Sequence, residues 1–294
     1  MYEYFCHRDY STDFPLTDLA CERRRADVDL PGVEYKRETA AVGEWERIKI
    51  TDSEGARSIG RPIGIYDTLN LPRFDLIDRE SAEDAGEEMR REMCHVFDEC
   101  NIIPERILVA GLGNRLLTPD SFGSAAAGLV RPTMHIKELD PAFFEGLGCS
   151  EICVITPGVA SASGVDACTV IRGVCHEINP TAVIAIDALA ARSSERLGTT
   201  VQISSTGIYP GSGLGNSRTA LSLESLGVPV IGIGVPTVID SRMLWYDRSR
   251  WQPGEKSDEA HSPMFVSPKE INEIVNVAAE IVSYGINAAF GLIL

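Results

Sequence analysis

The sequence contains no apolar run near the roughly 18 residues that a membrane span needs, and its 44% apolar and 24% charged content is that of an ordinary globule. Basic residues are scarce. Against 43 Asp and Glu there are 27 Lys and Arg, a formal net charge of −16. That balance argues against direct binding to nucleic acid or an anionic membrane, because phosphate neutralisation needs clustered cations. The one basic run, Arg23-Arg24-Arg25, reads as a solvated segment. The first 15 residues carry Glu3, Asp9 and Asp13 and no apolar core, so no secretory signal is expected and the expected location is the cytoplasm. The eight cysteines show neither Cys-x-x-Cys nor zinc-type Cys/His spacing, which points to free thiols in a reducing compartment. There is no Gly-x-Ser-x-Gly elbow, and the five histidines fall at unrelated points. His135 and His261 are the remaining candidates for a ligand beside a carboxylate; no metal and no cofactor are expected.

What the chain does have is a pair of buried strands with polar exits. Ile107-Leu108-Val109-Ala110 is an uninterrupted apolar run followed by Gly111-Leu112-Gly113-Asn114 and then Thr118-Pro119-Asp120. Glycines let the backbone leave the sheet sharply, so Asp120 is expected at the carboxyl edge, where open α/β sheets hold their ligands. Ala182-Val183-Ile184-Ala185-Ile186 repeats the form and ends on Asp187. Two carboxylates at the ends of two parallel strands would face each other across one cleft.

Around this pair the pattern alternates strand and helix. Residues 1 to 44 read as an extended or weakly ordered arm. Glu44 to Ile50 and Pro62 to Tyr66 read as antiparallel strands, and Asp78 to Glu99 as an amphipathic helix. Further strands are expected at Glu151 to Thr156, Thr199 to Ser204 and Val228 to Val235, the last broken by Pro236. Helices are expected at Ser124 to Val130, Gly164 to Ile178 and Pro268 to Ala289. The implied fold is α/β: a single three-layer domain with a largely parallel central sheet, helices on both faces, and a small antiparallel appendage.

Asp120 has two readings, a cap of the helix that follows it or one half of a catalytic pair. In the second, two close carboxylates cannot both ionise and retain one proton between them, so one acts as base on water and the other as acid. That is peptide hydrolysis chemistry. The glycine-rich loop Thr206 to Asn216 lacks the dinucleotide fingerprint and a Walker lysine. It reads as a structural turn or a loop gripping a substrate backbone, with Gly211, Gly213 and Asn216 the candidates, beside Gly111, Gly113 and Asn114 of the first motif.

Together, Gly111-Leu112-Gly113-Asn114 with Thr118-Pro119-Asp120, Ala182 to Ala190 with Arg192, Gln202 with Thr206-Gly207-Ile208 and Pro210 to Asn216, and Gly232 to Val238 resemble the germination protease family in wording and order. The resemblance runs from about residue 16 to 289. It implies a cytoplasmic endopeptidase of the spore core that degrades small acid-soluble spore proteins, with a fold related to the hydrogenase maturation proteases. It places the catalytic aspartates on Asp120 and Asp187. It also implies a zymogen that removes its own amino-terminal peptide, here at Thr17-Asp18-Leu19-Ala20-Cys21-Glu22 between Asp18 and Leu19, and a homotetramer. The domains would then be a propeptide at 1–18 and a protease domain at 19–294, divided into an arm with small strands (19–78) and an α/β core (79–294). Ser121-Phe122-Gly123-Ser124 departs from the Ala-Leu-Gly-Pro usual in the family, and Asp166 and Cys168 stand where it tends to have Glu and Thr. The rival readings are a metal-dependent peptidase of hydrogenase-maturation type and a non-catalytic phosphate- or nucleotide-binding module.

Overall fold

The structure, a computed structural model, describes residues 17–24, 29–209, 219–241, 243 and 264–292. The strands are β1 (Val33–Thr39), β2 (Glu44–Ile50), β3 (Gly64–Asn70), β4 (Arg106–Gly111), β5 (Glu151–Ile155), β6 (Ala182–Ala191), β7 (Thr200–Ser204), β8 (Val230–Asp240) and β9 (Phe265–Val266). The helices are α1 (Ser53–Ile59), α2 (Arg79–Glu99), α3 (Phe122–Leu129), α4 (Met134–Leu139), α5 (Pro141–Leu147), α6 (Ala160–Ser163), α7 (Ala167–Ile178), α8 (Leu223–Leu226) and α9 (Ile271–Ala289). All nine strands join one sheet in the order β1-β2-β3-β7-β8-β6-β4-β5, with β9 on β8. The pairs β8–β6, β6–β4 and β4–β5 are parallel. From β1 through β7 to β8 the pairing is antiparallel.

The parallel part is the buried part. Residues of β4 and β6 alternate between two faces, as a period of two demands. Ile107, Val109, Ile184 and Ile186 join α2, α3 and α9 in one cluster. Leu108, Ala110, Val183 and Ala185 pack on Cys168, Ile171 and Cys175 of α7. Each fully buried aliphatic side chain stabilises the fold by about 1.5–3 kcal/mol relative to exposure, so this double coverage fixes the strand register. A third cluster lies past the ends of those helices, where Leu189 and Ala191 of β6 meet Ile48, Ile50, Ile59, Tyr66 and Leu19.

Several sequence expectations shift. Residues 33–39, read as part of a weakly ordered arm, form β1, which pairs along its whole length with β2. The small antiparallel strands extend the central sheet through β7. The stretch before β3 contains α1, with Asp52 accepting from the amides of Glu54 and Gly55 at its amino end. β8 does not stop at Pro236. It runs to Asp240, with the proline tolerated because the pairing with β6 is irregular there, Leu189 facing Pro236 and Ala190 facing Val238. The seven described cysteines are all free. Among the described residues no helix is long and apolar enough to cross a membrane.

Candidate active site

Asp187 is the sixth residue of the ten-residue β6, not its last as the sequence implied. The edge at this point is made by the neighbouring strand. β4 ends with Gly111 opposite Ile186, so Asp187 is the first β6 residue past it. The chain leaving β4 stays close, the Leu112 amide donating to the Ile186 carbonyl at 2.8 Å. Asp187 is 5% exposed, and its Oδ1 accepts from the Ala188 amide at 2.9 Å. On its other side β8 runs alongside, with Gly234 in register with it.

Asp120 closes a single 3-10 turn, Thr118–Asp120, that rests against β6 and β8. Thr237 Oγ1 of β8 donates to the Pro119 carbonyl at 2.6 Å. The Asp120 carboxylate turns back toward the strand exit, where Oδ2 accepts from the Asn114 amide at 2.9 Å. Gly113 makes that loop possible. Its φ is +95°, and a Cβ there would stand 1.9 Å from the Asp120 carbonyl oxygen. Gly113 and Asn114 therefore lie against Asp120, whereas a Cβ at Gly111 would meet Gly123 and Ala127 of α3. Gly123, in the first turn of α3, then brings this segment onto β6: a Cβ there would lie 2.1 Å from the Ile186 carbonyl oxygen. Both aspartate-bearing segments thus meet around one peptide unit, Ile186–Asp187.

The segment Thr17–Glu22 is docked on the same end of the sheet. The Asp18 amide donates to the Ala190 carbonyl at 2.9 Å, and the Ala190 amide donates to Asp18 Oδ2 at 2.9 Å. Gln202 of β7 brackets Leu19, its Nε2 donating to the Asp18 carbonyl at 3.3 Å and its Oε1 accepting from the Ala20 amide at 2.8 Å. Leu19 and Ala20 are fully buried. Glu22 accepts from the Arg192 and Ser193 amides at 2.7 and 2.8 Å. By the alternation of β6, Asp187 points to the face that carries Leu189 and Ala191, the face on which Leu19 packs. A cavity of about 20 Å³ beside Asp18, Leu189 and Gln202 is large enough for a single water.

Sequence reasoning gave Arg61 no role and named Gln202 and Glu22 only as members of the family-like motifs. A glutamine inside the otherwise apolar run Val201–Ile203 was the available signal, since a buried amide needs partners. The solvated reading of the basic run fails at Arg23. Its guanidinium is half-buried over the arm and donates to the Thr17 carbonyl at 2.9 Å. Gly211, Gly213 and Asn216 lie outside the described residues. So do His7 and His261, while His135 sits on α4 and His176 on α7.

Among the described residues one group of three could hold a metal ion, Asp67, Glu92 and His95. Asp67 is on β3, three strands from β6 in the sheet, so this group is not part of the Asp187 site. Arg47 donates to both carboxylates, to Asp67 at 3.1 Å and to Glu92. Burial, and then the hydrogen bond and charge of Glu92, push the Asp67 carboxyl up to about 8. Between an unfolded value near 4 and that folded value the native state holds a proton the unfolded chain has lost, so stability falls as pH rises through the window. Asp67→Asn keeps a donor toward Glu92 and cannot ionise. The variant's Tm is expected to gain on the parent between pH 5 and pH 8; parallel Tm curves would refute the assignment.

The sequence profile of the germination protease family matches residues 16–249. The chain belongs to the germination protease family. It is 35% identical over 306 residues to the germination protease of Caldanaerobacter subterraneus subsp. tengcongensis, covering 93% of each chain. With that of Clostridium perfringens identity is 33% over 318 residues, covering 93% and 94%. With that of Priestia megaterium it is 40% over 242 residues, covering 79% of this protease and 65% of the relative. Among solved structures, a NiFe hydrogenase maturation protease, HycI from Thermococcus kodakarensis, aligns with a TM-score of 0.35 and 18% identity, over 67% of this chain and 99% of that one. The protease is thus a peptidase by family.

Proposed function

We propose that the protease is an endopeptidase that degrades small acid-soluble spore proteins during germination, in the spore core, and is made as a zymogen that removes its own first 18 residues. Asp120 and Asp187 form the water-activating pair. One carboxylate deprotonates water for attack on the scissile carbonyl while the other protonates the leaving nitrogen. The observation that carries the reading is the docking of Thr17–Glu22, whose backbone and acidic side chains are satisfied by β6, Gln202 and the Arg192–Ser193 amides. A peptide held that way, on the face to which Asp187 points, is a substrate mimic.

The docked arm also accounts for latency. Asp18 is held at Ala190, three residues beyond Asp187 and so about 10 Å along an extended strand. The Asp18–Leu19 bond is anchored beside the pair and must advance toward it before water can attack. Acidification populates the singly protonated pair and favours the cut. Purified precursor shifted to falling pH is expected to shorten by 18 residues, with Leu19 as the new amino terminus in mass spectra. A cut at another bond, or none at any pH, would overturn the zymogen reading. Activity lost to a chelator and restored by one metal ion would favour metal-dependent hydrolysis instead. The homotetramer is a further part of this proposal, read from the family resemblance and checked by sedimentation.

A further inference from the structure

Two guanidinium groups converge on the amino-terminal end of the docked arm, and a third, more exposed, lies beside them. Arg23, the exposed Arg57 and Arg61 line one open cavity of about 500 Å³ together with Ala56, Gly60, Pro62 and Tyr209. Arg23 and Arg61 donate to the same acceptor, the Thr17 carbonyl, at 2.9 and 3.1 Å. The Arg61 side chain is only 10% exposed, and its Nε is buried without a hydrogen-bond partner. Gly60 leaves Arg23 its place, since a Cβ there would stand 3.0 Å from Nη1. Burial, and next the charge of Arg61, push the Arg23 guanidinium down to about 10. Among the described residues the one ion pair to these three arginines is Arg61–Asp18, at 3.9 Å.

Crowding like charges costs stability, and a chain with 43 acidic and 27 basic residues has no shortage of carboxylates to relieve it. The carbonyl the arginines share belongs to the residue before Asp18. A substrate seated as the arm is seated therefore delivers its upstream residues to this cavity. We propose that the Arg23–Arg57–Arg61 cavity is a subsite for a carboxylate side chain that a peptide substrate carries several residues upstream of the scissile bond, beyond the position that Thr17 occupies. The inference rests on Thr17–Glu22 being a substrate mimic. Partly desolvated guanidiniums bind carboxylates through charge-assisted, two-pronged hydrogen bonds, more strongly than exposed pairs do. In sequence the chain's own arm has Asp9 and Asp13 ahead of Thr17. Asp13 is four residues away, within about 14 Å of extended chain.

The test uses two fluorescent peptides spanning residues 7–24, one natural and one with both Asp9 and Asp13 replaced by Asn, added to the full chain at low salt. The arm of the protein competes with both alike, so the ratio of their dissociation constants is informative. The natural peptide is expected to bind about tenfold tighter, with the ratio falling below about twofold in Arg57→Gln and at high salt. Equal binding of the two peptides, or a ratio that survives in Arg57→Gln, overturns the subsite. Following cleavage at the Asp-Leu bond in the same mixtures separates the two readings. Both peptides cut with equal KM and bound equally would remove the subsite and leave the protease. A preserved binding ratio with neither peptide cut, even at the lowered pH where the precursor is expected to shorten, would remove the proposed hydrolysis and leave the subsite.

Discussion

Replacing Asp187 by Asn is expected to lower peptide cleavage by about a thousandfold or more, and Asp120→Asn to do nearly the same, because each would remove one half of the proposed proton relay. The two losses should not add. A residue that acts only as part of a pair costs almost its full effect when either member goes, so the double variant is expected near the level of the singles. Asn is close to isosteric and keeps an oxygen for the Ala188 amide at position 187 and for the Asn114 amide at position 120. Folding should therefore survive, which unchanged Tm values within a few degrees would show. Initial rates on a Thr-Asp-Leu-Ala-Cys-Glu peptide decide the matter. Either single variant retaining more than about a tenth of the parent rate would remove that carboxylate from the chemistry.

Gly123→Ala is the second substitution with a large expected effect, and it acts through packing. The added methyl would lie 2.1 Å from the Ile186 carbonyl oxygen and 2.7 Å from that of Leu112, both backbone atoms that cannot swing aside. Overpacking of this kind costs about 1–3 kcal/mol, and a drop in Tm on the order of 5 °C is expected for a chain of this size. Because Ile186 precedes Asp187 and Leu112 leads into the Asp120 loop, whatever shift relieves the clash also misplaces the carboxylates. A misplacement of about 1 Å can cost a hundredfold in rate. Gly128→Ala on the same helix is the control. Its methyl would meet nothing within 4 Å on an exposed position, and it should gain about 0.5–1 kcal/mol of helix stability with no loss of cleavage. Equal behaviour of the two variants in melting and in rate would contradict the packing account.

These contrasts show what was readable in the sequence and what was not. The strands around Asp120 and Asp187 were legible because a parallel sheet covered on both faces leaves long apolar runs, and α2 because its apolar stripe has a period near four. The closing helix was legible for the same reason. β1 was missed because its side chains are largely exposed, and an edge strand of charged residues carries little hydrophobic signal. The extension of β8 through Pro236 was missed because a proline inside a strand reads as a stop unless the neighbouring strand is known to be out of step. At the candidate site, Asp120 and Asp187 stand out in the sequence as carboxylates after buried strands, whereas side chains that matter through position do not. Gln202, Arg23 and Arg61 matter because the arm happens to lie on them, a relation between segments more than a hundred positions apart in the case of Gln202. No local pattern encodes it.

The pH dependence of kcat/KM for cleavage of the Thr-Asp-Leu-Ala-Cys-Glu peptide decides whether Asp120 and Asp187 work as a pair. Two carboxylates that share one proton titrate as a unit, so the account predicts a bell with an acid and a basic limb, the active form existing only between them. Asp120→Asn or Asp187→Asn should remove the bell together with the rate. A parent profile that only rises with pH, with no limb on which a proton is required, would contradict a mechanism in which one aspartate must stay protonated while the other is not.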